Sequence, residues 1–191
     1  MGLPNRPPPL STLVTGRLVL EPWDESRRED LARLATIPEV VRHIGDGEIW
    51  SRNRADEVFD RNLHHWGEHG FGWRSAVDRE TGAWLGFLGL NYVPADAVDS
   101  SPDDVEIGWW LLPEAWGRGL ATEGALAVRD EAFERVGLHR IIGRFDPRNR
   151  ASGRIMEKLG MRYERDSVTS NGGPVRIYAL DREEWAAAGA P

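Results

Sequence analysis

The stretch Val105–Phe133, VEIGWWLLPEAWGRGLATEGALAVRDEAF, is the most informative of the chain. An apolar strand pattern runs into Pro113, a turn carrying Gly117 and Gly119 follows, and a helical pattern begins at once. Glycines let the backbone turn sharply and approach a ligand closely. The first turn of a helix holds N–H groups without intrahelical partners at the positive end of its dipole, so it suits an anion. Arg118 adds a fixed charge with a forked set of donors. The segment therefore reads as a diphosphate cradle between a strand and a helix. A P-loop needs Lys followed by Ser or Thr after its glycines, and Gly117-Arg118-Gly119-Leu120-Ala121 has no such pair. The dinucleotide fingerprint also fails, because Thr122 stands where its third glycine belongs.

Outward from this stretch, the spacing of apolar residues supplies the other elements. Thr15–Pro22 reads as a first strand with Leu18 and Leu20 on one face, and Asp24 or Ser26 caps a helix through Leu31, Leu34 and Ala35. A broken helical segment over Glu39–Ile44 leads to a glycine turn, and Asn53–Glu68 reads as an amphipathic helix with Ala55, Val58, Phe59, Leu63 and Trp66 as its apolar stripe. On that helix His64 and His65, with His69 just past it, read as a solvated face. Strands at Gly72–Asp78 and Ala83–Val93 are joined by the turn Arg79-Glu80-Thr81-Gly82, and a loop rich in Asp, Ser and Pro leads to Val105–Leu112. A long helix over Gly119–Val136, a strand over Arg140–Phe145 and a helix from Asn149 to Leu159, stopped by Gly160, come next. Met161–Thr169 and Val175–Leu180 close the chain as a hairpin. The order predicts an α/β fold, one mixed sheet of about seven strands with helices on both faces.

At 191 residues the chain can build one sizeable core. Residues 1–13 read as a disordered or extended proline-rich leader, 14–185 as a single domain and 186–191 as a flexible tail. A net charge of -7 argues against nucleic acid as the main partner. With no cysteine, disulfides, thiolate catalysis and sulfur-ligated zinc are excluded. No group of His and carboxylates has metal-ligand spacing, so no metal is expected. No apolar run reaches membrane-spanning length, and a cytoplasmic protein, monomer or homodimer, is the expectation. Nine tryptophans are many for this length. They read either as core packing or as an aromatic-lined site using Trp73, Trp84, Trp109 and Trp110.

Four ordered motifs carry a resemblance. EIGWWLLPEAWGRGLATEGALAV is similar to the acetyl-coenzyme A pyrophosphate turn of the GNAT superfamily of N-acetyltransferases, and in particular to its RimJ/RimL-like branch, which acetylates ribosomal protein amino termini. NRASGRIMEKLGM (149–161), TGRLVLEPW and GFGWRSAV…TGAWLGFLGL match further parts of the family in the family's order, covering residues 15–182. Trp116 departs from the Gln or Arg that usually opens this turn; backbone amides supply most of the anion binding there.

The resemblance implies the GNAT fold and acetyl transfer from acetyl-coenzyme A, as co-substrate, to a primary amine. It implies that the strand ending at Leu111 and Leu112 splays from its neighbour and offers backbone groups to the pantetheine arm, with Gly108 as the position of a bulge or simply as room for a packed Trp. Gly117, Arg118, Gly119, Leu120, Ala121 and Thr122 hold the pyrophosphate by the same token. Asn149 is a helix N-cap, a pantetheine ligand, or both. Ser152 falls near the sulfur as the proton donor to the leaving thiolate. Glu106, a carboxylate in an otherwise apolar strand, must face a cleft or carry a partner, and is the leading general base; His43 is a weaker candidate. Trp50, Trp73, Arg74 and Trp110 are expected to line the acceptor side, with Asp46 and Glu48 as an acidic lip for a protein amino terminus, a polyamine or an aminoglycoside. A non-catalytic acyl-coenzyme A sensor is the alternative, and the presence of Glu106 favours the enzyme.

Overall fold

The computed structural model describes residues 12–94, 97–99, 101 and 103–189. Residues 1–11 of the expected leader and 190–191 of the expected tail lie outside the described residues. Eight strands form one sheet in the order β1-β2-β3-β4-β5-β6-β8-β7. They are β1 (Leu13–Val14), β2 (Leu18–Pro22), β3 (Trp73–Asp78), β4 (Trp84–Tyr92), β5 (Val105–Leu111), β6 (Arg140–Phe145), β7 (Arg162–Val168) and β8 (Pro174–Asp181). Seven correspond to the strands read from the sequence. The eighth is the two-residue β1, which lies partly inside the expected leader and is too short to show an alternating pattern.

The helices are α1 (Arg28–Leu34), α2 (Pro38–Val41), α3 (Arg52–His69), α4 (Leu120–Glu131), α5 (Arg150–Lys158) and α6 (Arg182–Ala187). Local chemistry sets their ends. The Ser51 side chain accepts from the Arg54 N–H at 3.2 Å to start α3, and Gly70, at φ 73°, ends it. A single π-helical turn, Ala132–Val136, follows α4 and stops at Gly137. Helix α6 spans the end of the expected domain and the start of the expected tail, where no helix is expected; Asp181 and Glu184 cap it reciprocally.

Strand alternation sorts the side chains into two layers. Leu18, Leu20, Leu88, Ile107, Leu111, Ile141 and Phe145 pack with Leu120, Ala125, Val128 and Phe133 of the α4 segment, Met156 of α5 and Trp185 of α6. Phe87 and the partly buried Trp73 and Trp110 pack on the other face with Leu31 and Leu34 of α1 and Phe59 and Trp66 of α3. Helices therefore cover both faces.

One junction differs from all others in the sheet. Strand β5 pairs with β4 along its whole length, from Gly86↔Leu111 to Tyr92↔Val105, and β6 pairs with β8 from Arg140↔Asp181 to Phe145↔Arg176. The central β5–β6 junction is parallel and rests on one pair, Glu106↔Ile142. Beyond it the strands part. The unbroken β4–β5 register shows that no bulge at Gly108 causes this, contrary to one of the two readings of that residue. Gly108 instead makes room for Trp73, whose Cη2 would lie 3.2 Å from a Cβ there.

Candidate active site at the splay between β5 and β6

The splay presents unpaired backbone groups, and the alternation of the antiparallel ladder says which ones. The Leu112 N–H donates to the Leu85 carbonyl at 2.8 Å, so Leu112, Trp110, Gly108 and Glu106 direct their backbone groups toward β4. Ile107, Trp109 and Leu111 direct theirs toward β6. Leu112 is thus turned away from the splay, which corrects its place in the expected coenzyme site. The Leu111 carbonyl is also occupied: the Trp116 indole N–H donates to it at 2.8 Å. Trp116 thereby fastens the loop to the end of β5. What remains for a strand-like ligand is Trp109 and the Leu111 N–H.

At the open end of the splay, Pro113–Ala115 forms a 3-10 turn and the chain enters α4 through Gly117 (φ 71°) and Gly119 (φ 78°). Both angles favour glycine. Gly119 is the N-cap and brings no side chain to the amides of Leu120, Ala121 and Thr122. A Cβ at Gly117 would meet nothing within 4 Å, so that side of the loop is open. This is an anion cradle of backbone donors. Arg118 is exposed and its guanidinium lies 3.8 Å from Asp78, beside the loop rather than clamped across it. Sequence reading missed the buttress behind the cradle. The Arg17 guanidinium donates to the Arg118 carbonyl at 2.8 Å and to the Glu123 carboxylate at 2.7 Å, while Thr15 donates to Glu123 at 2.6 Å. Arg17, Arg79 and Arg118 share a surface cavity of about 340 Å³ with Asp78 and Glu80.

At the closed end stands Glu106. Its carboxyl is enclosed by protein while part of the residue still meets solvent. Burial pushes it up to about 7; the charge and the backbone N–H of Arg144 on β6 pull the other way. Across the splay, the Asn149 side chain accepts from the Ser152 N–H at 3.2 Å and caps α5. The capping reading of Asn149 therefore holds. Among the described residues the Ser152 hydroxyl has no hydrogen-bond partner. Asp146, one strand-end earlier, accepts from Arg148 and lies 3.3 Å from His43 Nδ1. These contacts hold Asp146 down to about 2 and join the loop after α2 to the start of α5.

The aromatic residues divide by strand parity. Trp110 shares the Glu106 face, Trp73 lies over Gly108 between them, and Trp50 stands behind, 8% exposed and edge-on to Trp110 at 5.0 Å. Trp109 points to the opposite layer. Arg74, the neighbour of Trp73, also points there: it is fully buried and pairs with Glu131 of α4 at 2.7 Å and 3.0 Å. It is a core residue and not part of the acceptor side, as period-2 alternation requires once Trp73 is placed. Asp46 of the expected acidic lip is bound by Arg54 at 2.9 Å, and Glu48 is exposed. His65 corrects a further expectation. It is 7% exposed, its Nδ1 lies 2.9 Å from the Phe71 carbonyl, and its Nε2 accepts from the Tyr92 N–H at 3.3 Å. Among the described residues no three His, Asp or Glu side chains gather as a metal site. No helix there is long and apolar enough to cross a membrane.

Comparison with known proteins agrees with this geometry. A family model described as an acetyltransferase (GNAT) domain matches residues 17–162. The chain is similar to the FsC-acetyl coenzyme A-N(2)-transacetylase of Aspergillus fumigatus, 32% identical over 190 residues, covering 91% of this chain and 77% of that one. It is also similar to a crystal structure of an acetyltransferase from Agrobacterium tumefaciens (28% identity, TM-score 0.76, 94% of this chain and 99% of that one). The fold recurs in a spermidine N-acetyltransferase from Vibrio cholerae solved with CoA and spermine (16% identity, TM-score 0.70, 88% and 98% covered).

Proposed function

The chain belongs to the acetyltransferase (GNAT) family, and from that premise we propose that it moves an acetyl group from acetyl-coenzyme A to a primary amine by direct attack in a ternary complex. The single-pair junction between β5 and β6, ending at an uncapped glycine loop, is the observation that carries this reading. The residues fit the coenzyme: backbone donors at Gly117–Thr122 suit a pyrophosphate, and Trp109 with the Leu111 N–H suits the amides of an extended arm. The coenzyme supplies an acetyl group on a good leaving thiolate. Glu106 takes a proton from the amine, directly or through water, in the range where half its carboxyl is ionised near neutrality. Ser152, free of other partners, lies at the start of α5 where a proton can be returned to the thiolate. Holding both reactants in one cleft contributes effective molarities of ~10⁵ M or more. Within the family we place the chain in the RimJ/RimL-like branch on its four motifs. An acceptor amine, free or on a protein amino terminus, is the expected partner.

Calorimetric titration with acetyl-coenzyme A, with NADH as control, tests the cradle. Saturable binding selective for the coenzyme, followed by thiol release on adding amines, is expected. Arg118→Ala should weaken binding mainly at low salt, because an exposed guanidinium acts through a screened field. Absence of coenzyme binding by the wild-type chain removes the proposal.

A further inference from the structure

Arg144 is the least accounted-for charge in the described structure. Among the described residues it is the one arginine that is not exposed and whose side chain makes neither an ion pair nor a hydrogen bond. Its Nε is buried without an acceptor. Other arginines without such partners, such as Arg42, Arg61 and Arg154, lie exposed in water. Arg144 is half-buried, and its buried Nε–H, left idle, is costly unless an acceptor arrives.

Register fixes where Arg144 stands. Ile142 pairs with Glu106 across the splay, and Arg144, two residues on, shares its face. Its β8 partner Ile177 belongs to the same apolar group as Ile142. One strand across and two residues along places the Cα atoms of Glu106 and Arg144 ~8 Å apart, before any widening by the splay. The two side chains do not form an ion pair, although each lies in the other's field. The acceptor face thus carries a carboxylate and a separate guanidinium on adjacent strands, with Trp73 and Trp110 beside them. Asp46, one of the two residues of the expected acidic lip for a cationic amine, is already paired with Arg54.

We infer that Arg144 selects the acceptor by binding a carboxylate close to the reacting amine, so that the substrate class is an amino-acid-like amine with an apolar body against Trp73 and Trp110. The inference rests on the proposed amine acetylation. A zwitterion matches the arrangement: its nitrogen meets Glu106 and its carboxylate takes the forked donors of Arg144. A polyamine offers nothing to Arg144 and leaves it unsatisfied. A site built around a charged donor rejects analogues lacking the acceptor group far more strongly than an apolar pocket rejects a missing methylene.

The test uses matched acceptors on the full chain: phenylalanine, its methyl ester and phenethylamine, then tryptophan and tryptamine, with thiol release as readout. Wild type should favour the carboxylates over the decarboxylated amines at least tenfold in kcat/KM. Arg144→Gln should abolish that preference through KM, with coenzyme affinity by calorimetry unchanged, and Arg144→Lys should restore part of it. Removing the cation should also move the acid limb of the pH profile upward, which a merely structural residue would not do. Circular dichroism of both variants separates misfolding from loss of recognition. Equal or better turnover of phenethylamine by wild type overturns the inference, as does a preference that survives in Arg144→Gln. Reduced coenzyme affinity in Arg144→Gln overturns it too, by placing Arg144 on the coenzyme. Failure of acetyl-coenzyme A to bind, or of any amine to release thiol, strikes the underlying acetyl-transfer reading instead.

Discussion

Replacing Glu106 by Gln should make the protein more stable and less active at once, and the size of the first effect follows from the structure. The carboxyl of Glu106 sits at about 7 in the fold against 4.5 for an ordinary glutamate, chiefly because burial opposes its charge. Between those values the folded chain keeps a proton that the unfolded chain has released. Stability therefore falls as pH rises through this window. At 1.36 kcal/mol per unit the full cost approaches ~3 kcal/mol, and contact of the residue with water reduces it to about 2 kcal/mol. Gln is uncharged at every pH and escapes it. Urea denaturation at pH 5 and pH 8.5 should show Glu106→Gln gaining about 2 kcal/mol on wild type at the higher pH and little at the lower. Turnover supplies the second half. The ionised fraction of Glu106 in the ligand-free chain climbs from about one tenth at pH 6 to about nine tenths at pH 8, so wild-type kcat/KM should rise roughly tenfold over that interval with an acceptor amine that is neutral throughout. The Gln variant should lose this limb and 10²–10⁴-fold in rate, by order of magnitude for a general base. If the stability difference between the two proteins is the same at both pH values, Glu106 does not titrate near neutrality and its role as base fails.

Two other predictions rest on the packing around the site. His65 is held neutral by burial and drawn down to about 4, so the unfolded chain binds a proton more readily between 4 and 6.5; stability should fall as pH drops through that window, by up to ~3 kcal/mol, and the slope should flatten in His65→Gln. A Cβ at Gly89 would lie 2.7 Å from the Trp73 Cα and closer still to the Gly72 carbonyl, against backbone that cannot rotate aside; Gly89→Ala should cost about 2–3 kcal/mol by urea denaturation, and an unchanged midpoint would show that β3 and β4 separate more readily than their register implies.

The elements and the cradle are legible in local patterns of residues. Period-2 and period-3.6 patterns depend on which side chains seek the core, and they located seven of eight strands and the helices α1, α3, α4 and α5. The glycine loop was legible because Gly117 and Gly119 do locally what their residue type permits. Glu106 stood out for a similarly local reason, as a charge in an apolar run. Whatever depends on a partner distant in sequence emerges in the folded chain alone. Leu112 turned away from the splay because Leu85 took its N–H, and Arg74 entered the core because Glu131, 57 residues later, was waiting there. His65 left the solvated face because Phe71 and Tyr92 matched both its ring nitrogens. Arg144 is the opposite case. Its position beside Glu106 comes from one parallel pair between strands joined through a whole helix, and its lack of a partner becomes visible only when every neighbour is in place. Pairing energies are short-ranged in space and indifferent to chain separation, so a single sequence records the demand for a partner but not which residue meets it.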